Sequence, residues 1–243
     1  TGSNKFKDAI EAFMRKSIEP FVVAIRNFLE LELIDCDEAQ SEGASEAKTI
    51  FLSYCQKDSD IAELIEEKLG KQIKGKATIS RDIRDVEYHE SFKRFMQSIE
   101  HHDYVITVIS DNYFKSRNCM YEVLEVVKDS RFSDKLVFIV LHDEDCQYYK
   151  TTNTINIAAN VYSTEGQTAY SLFWKLQENE LQQQIDELGD PTYAITQIKE
   201  KKIVQKILLD LPEFIEFVRD SKGLSLTEHI AHDFSDIIKF MNL

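Results

Sequence analysis

Chemically useful side chains are densest in SRNCMYEV, residues 116–123. Read as a helix opened by a Ser116 cap, the stretch puts Asn118 and Cys119 four and three residues before Glu122, all on one face. A carboxylate on a helix face that looks into a cleft can serve catalysis, although helical glutamates more often sit in solvent beside a lysine or arginine. Cys119 becomes a thiol nucleophile only with a base beside it, and the sequence places no histidine to activate it. A second feature lies at residues 71–94, where seven basic residues, Arg81 and Arg84 among them, stand against four acidic ones, including Asp82. The local net of +3 in a chain of net charge −14 can receive a small phosphorylated ligand, or form a solvated loop and helix face.

Other chemistries lack their parts. No G-x-x-x-x-G-K-[ST] or G-x-G-x-x-G loop is present to cradle phosphates, and no G-x-S-x-G elbow to raise a serine. A phosphoacceptor site needs paired acids after the first strand, where Tyr54 and Cys55 stand instead. His101 and His102 read as a solvated turn. Four cysteines, 19, 64 and 27 residues apart and without a C-x-x-C pair, read as reduced thiols and not as a zinc site. The charge of −14 argues against nucleic acid as a partner.

With 243 residues the chain can bury roughly 70–75% of its unfolded surface, so it needs neither metal nor disulfide to fold. Only 7 Gly and 3 Pro favour long helices over a turn-rich all-β fold. No apolar run approaches the ~20 residues that cross a bilayer, and the chain is read as cytoplasmic, without a membrane partner. The start, TGSNKFKD, has no Met and no signal-peptide core, and reads as a cleaved or excised end with room for an upstream domain.

The elements that must position these groups follow from periodicity. Residues 1–34 form a helical segment, with Ile10, Met14, Ile18, Phe21, Ile25 and Phe28 on one face and Pro20 dividing two helices. Residues 35–48 read as an acidic linker. Strands are expected at 49–54, 76–80, 104–110 and 135–141, with a weaker fifth at 155–163. Helices alternate with them: 58–70 with an Asp or Ser cap and a Gly70 stop, 90–100, and the one carrying Glu122. A helix over 168–188 and further pieces in 194–241, punctuated by Pro212 and Gly223, complete the chain. This alternation predicts an α/β fold, a flavodoxin-like parallel five-stranded sheet with helices on both faces, over 49–190, and a helical extension over 191–243. Ligands of such sheets bind beyond the carboxyl ends of the strands, here Ser53–Cys55, Ser80–Asp82 and Ser110–Asp111.

FLSY at 51–54, SRD at 80–82, then Ser110-x-x-Tyr113 and Ser116-x-x-Cys119-x-x-Glu122 together resemble the Toll/interleukin-1 receptor (TIR) domain family, most closely its bacterial antiviral-defence members. The resemblance covers about residues 47–190, with Phe173-Trp174 similar to the family's third box. It implies cleavage of the nicotinamide–ribose bond of NAD+, giving nicotinamide and ADP-ribose or a cyclic product. NAD+ is then substrate, and no cofactor or metal is implied. Glu122 falls on the carboxylate of the family's W-C-x-x-E pattern; Cys119 matches, while Asn118 stands where the pattern has tryptophan. The loop after the second strand lacks the family's Pro-Gly. The resemblance further implies Tyr54, Arg81, Asp82, Arg84, Asn118 and Cys119 as substrate contacts, the two arginines toward the diphosphate and Tyr54 toward a ring. It also implies a homo-oligomer through TIR–TIR contacts, with the N-terminal stripe and C-terminal helices as assembly surfaces. The alternative it allows is a non-catalytic scaffold that acts by such contacts alone.

Overall fold

The computed structural model describes residues 47–81, 99–128, 133–150, 157–221 and 224–243. The expected N-terminal helices, residues 35–46 of the linker, the loop at 82–89, residues 90–98 of the following helix and Gly223 lie outside the described residues.

Three short runs rich in Ile, Val, Leu and Phe become β1 (Lys48–Ser53), β3 (Tyr104–Ile109) and β4 (Leu136–Val140), and the more polar ATISR becomes the half-exposed edge strand β2 (Ala77–Arg81). All pair in parallel, in the order β2-β1-β3-β4. Register is set by pairs such as Lys48 with Ala77, Ile50 with Tyr104 and Val105 with Leu136.

Side chains of a strand alternate between faces, and here both faces are covered. Ile50, Leu52, Ile106, Val108 and Ile139 pack on one side against α1 (Ser59–Gln72), α6 (Leu226–Ala231) and α7 (Ser235–Phe240). Phe51, Val105, Ile109, Phe138 and Val140 pack on the other. That side is closed by the short α2 (Asp111–Phe114), α3 (Arg117–Val127), α4 (Thr164–Leu188) and α5 (Ile195–Asp220). Residues 47–243 form one compact unit. Among the described residues, no helix is long and apolar enough to cross a membrane.

Four local expectations are corrected. The fifth strand is not formed by residues 157–163: Ala159 N–H donates to the Leu141 carbonyl at 2.8 Å, but Val161 N–H turns back to Ala159 at 2.9 Å, so no ladder develops. Residues 155–156 of that expected strand are outside the described ones. Gly70 does not stop α1, because buried Leu69 and Ile73 carry the helix onward, and the turn falls on Gly75 at φ +80°. Pro212 does not divide α5 either. Its ring faces solvent, and although proline removes one helical hydrogen bond, buried Ile207, Leu211, Phe214, Ile215 and Val218 hold the helix on both sides of it. Helix α4 begins at Thr164, before the expected 168, because Ser163 Oγ accepts the Gly166 N–H at 3.0 Å.

The C-terminal helices are tied to the sheet by one buried acid. Asp145 accepts from the backbone N–H of Leu226 (3.2 Å) and of Thr227 (2.8 Å), from Thr227 Oγ1 (2.7 Å) and from His142 N–H (2.9 Å). It thereby satisfies orphan donors at the start of α6. Asp145→Ala strands these donors, and the unfolding free energy should fall by about 2–4 kcal/mol. A urea midpoint that drops with little change in slope is the expected result, and an unmoved midpoint would remove Asp145 from this role.

Candidate functional site

Ser116 opens α3 in extended backbone geometry, and its Oγ accepts the Cys119 N–H at 3.4 Å. The helix then buries Cys119, Met120, Val123, Leu124 and Val126, as its apolar spacing requires. Glu122 lies inside this buried stretch at 2% exposure, in the second turn. One turn earlier, the Cys119 thiol hydrogen-bonds the thiol of Cys55, which follows β1. That bond, helped by the Lys57 backbone N–H, holds the Cys55 thiol below its ordinary pKa although burial opposes it. The start of α3 is thus held against the end of β1, beside the β1/β3 junction where strand order reverses. Such a reversal is where open α/β sheets bind ligands.

A second constellation braces the same edge. Asp58 is fully buried and accepts from Ser110 Oγ, from Asn112 Nδ2 at 2.6 Å and from Tyr149 Oη at 2.9 Å. Ser110 Oγ in turn accepts the Tyr113 N–H at 2.9 Å, and Tyr113 Oη lies 3.5 Å from Ser53 Oγ. One carboxylate therefore joins the segments that follow β1, β3 and β4. Burial raises the Asp58 pKa above the usual carboxylate range, with the three hydrogen bonds acting against it. Burial, with Asp58 second, likewise pushes the Tyr149 phenol up.

The expected site residues divide between two layers. Glu122, Cys119 and half-buried Asn118 belong to α3. Tyr54 packs on the α1 side, and Arg81 sits on that side too, its Nε paired with Glu66 of α1 at 2.6 Å. The structure brings Cys119 and Cys55 together within a turn of Glu122, but it sets Tyr54 and Arg81 against the opposite face of the sheet. Asp82 and Arg84 lie outside the described residues. Trp174 is core: its Nε1 donates to the Phe114 carbonyl at 3.0 Å and joins α4 to α2. A cleft of about 500 Å³ opens beyond β3 and β4, lined by Asp111, Lys115, His142, Asn160, Tyr162 and Tyr170.

Sequence reasoning treats Asp58 as a helix cap and does not pair Cys55 with Cys119. Asp58 stands at the cap position of α1 but makes no side-chain cap bond, because its carboxylate turns inward. Only its closeness to the end of the first strand marks it.

The profile of the TIR domain family matches residues 50–172, from β1 into α4. The chain belongs to the TIR domain family. Among solved structures it is similar to a prokaryotic SEFIR domain, at 18% identity over 53% of this chain and 93% of that chain, with a TM-score of 0.32. No curated protein matches it. Within the TIR segment Ser110 and Tyr113 are both buried parts of the Asp58 network, so the S-x-x-Y motif acts here as a brace.

Because the folded-state pKa of Asp58 is raised, its protonated form stabilises the fold below the unfolded value of about 3.9, and that contribution is lost as pH rises through the folded value. Asp58→Asn keeps an acceptor for Asn112 and Tyr149 without the charge. Melting temperatures from pH 4 to 8 should therefore show the wild type losing ground to Asp58→Asn as pH rises; a constant gap would contradict the raised pKa.

Proposed function

We propose that this TIR domain cleaves the nicotinamide–ribose bond of NAD+, with Glu122 as the required carboxylate. The observation that carries the reading is Glu122 itself: it completes the C-x-x-E pattern and is held at 2% exposure beside the β1/β3 junction. Departure of nicotinamide leaves positive charge shared by C1′ and the ring oxygen of the ribose. A carboxylate fixed in a poorly solvated wall stabilises that charge far better than one in water. Water then adds at C1′ to give ADP-ribose, or a nucleophile of the same molecule adds to give a cyclic product.

The substrate lies across the carboxyl edge of the sheet in this reading. Its nicotinamide ribose meets Glu122, Asn118 and Cys119 on the α3 side, and its diphosphate runs toward Arg81 on the α1 side near Tyr54; Asp82 and Arg84, outside the described residues, are further substrate contacts of this reading. Arg81 has to exchange or share its Glu66 partner to bind phosphate. Burial of Glu122 means that the wall around it opens before substrate enters, in keeping with activity that depends on self-assembly. Bacterial antiviral defence is the setting this chemistry suits. A second reading, a scaffold acting only through TIR–TIR contacts, is favoured by Asn118, which offers no aromatic surface where NAD+-cleaving relatives have tryptophan.

Concentrated protein incubated with NAD+ should release nicotinamide, followed by chromatography, and Glu122→Gln should lower the rate by at least ~10²-fold with an unchanged thermal melt. Equal turnover in the variant would remove Glu122 from the chemistry. No release from assembled wild-type protein would leave the scaffold reading, and mass spectrometry of the product distinguishes hydrolysis from cyclisation.

A further inference from the structure

Helix α5 follows the TIR-matched segment and, among the described residues, is packed on one side only. Val204, Ile207, Leu211, Phe214, Ile215 and Val218 are buried against the sheet-covering layer. The opposite side carries Leu209, which at 79% is the most exposed large apolar residue among those described. Residues seven positions away on a helix stand within about 20° of the same line. Those positions are Lys202 on one side and Glu216 on the other, both exposed. Exposed Glu213 and Asp220 extend the acidic half, while exposed Lys199 and Arg219, each ten residues from Leu209, stand about 80° off this line at the two ends. Two neighbouring lysines are already engaged, Lys206 with Glu125 and Lys201 with Gln182.

The outer stripe therefore reads basic, apolar, acidic, with Lys202 and Glu216 each about 10.5 Å along the axis from Leu209. A pattern of this kind is its own complement when turned end for end, as a two-fold interface requires. We propose that two copies of this chain pair antiparallel through α5, Leu209 meeting its mate on the two-fold axis and Lys202 of each copy meeting the acidic half of the other at Glu216. The Lys202–Glu216 cross-pair occurs twice by symmetry. A partner of one charge sign fits less well: a polyanion on Lys199 and Lys202 would also meet Glu213, Glu216 and Asp220. With one central leucine pair and solvent-edged ion pairs, the contact is weak and is populated only at high protein concentration. The proposal gives a surface to the self-assembly in the reading above, but its readout is mass, so either can fail without the other.

Sedimentation velocity on the full chain, from micromolar to millimolar, should show monomer passing to dimer, with less dimer at about 0.5 M salt. Lys202→Glu and Glu216→Lys should each weaken the dimer at least 10-fold, and the double reversal should restore it, since the pair is remade with its signs exchanged. These surface changes should leave the thermal melt in place. A chain that stays monomeric throughout overturns the proposal, as does a dimer indifferent to the single reversals, which would be built on another surface such as residues 1–46. Failure of the double reversal to restore association overturns the pairing of Lys202 with Glu216.

Discussion

A parallel sheet cannot leave a face in water, because its strands are apolar on both sides and its crossovers put helices over both. That constraint organises this molecule. β1 and β3 sit at the centre of the order β2-β1-β3-β4, and each sends alternate side chains into a separate buried layer. One layer is closed by α1 with the two short C-terminal helices, the other by α3, α4 and α5. The helices beyond the TIR-matched segment are thus structural cover for the sheet. The last of them are secured through Asp145 and α6, from the segment just after β4.

Covering both faces leaves the carboxyl edge as the place where polar chemistry concentrates, and several of its polar groups are buried. Its buried polar groups survive by satisfying one another: Asp58 takes three donors from the segments after β3 and β4, Ser110 both gives and accepts, and Cys55 and Cys119 share a hydrogen bond. Such a network fixes the strand ends relative to each other. Glu122, at 2% exposure, lies in a poorly solvated stretch of α3, where a charge interacts more strongly than it would in solvent. Brace and proposed chemistry share one origin, the burial that the two helical layers impose on Asp58, Ser110 and Glu122.

How much was legible in the sequence depended on whether the signal was local. The strands at 104–110 and 135–141 stand out because near-continuous apolar runs fit a strand buried on both faces, those at 49–54 and 76–80 are legible as short strands alternating with helices, and the Ser116 cap and Glu122 turn were legible from spacing alone. Gly70 and Pro212 misled as helix breakers because local propensity is worth a few kcal/mol at most, and burial of Leu69, Ile73, Leu211 and Phe214 outweighs it. Residues 157–163 look strand-like by composition, yet they make only one bond to the end of β4 before turning. The division of Tyr54 and Arg81 from Glu122 was hidden, since a motif in order along the chain does not say which sheet face each member takes.

By itself the sequence determined the α/β class, the parallel strands and the helical register of Asn118, Cys119 and Glu122, because periods of two and of 3.6 residues are local properties of a chain. Tertiary structure alone decided that Asp58 turns inward, that Cys55 meets Cys119, that Glu122 is buried and that Leu209 is left outside. Each depends on which surfaces meet after the sheet is covered, and those contacts join residues dozens of positions apart that no local pattern connects.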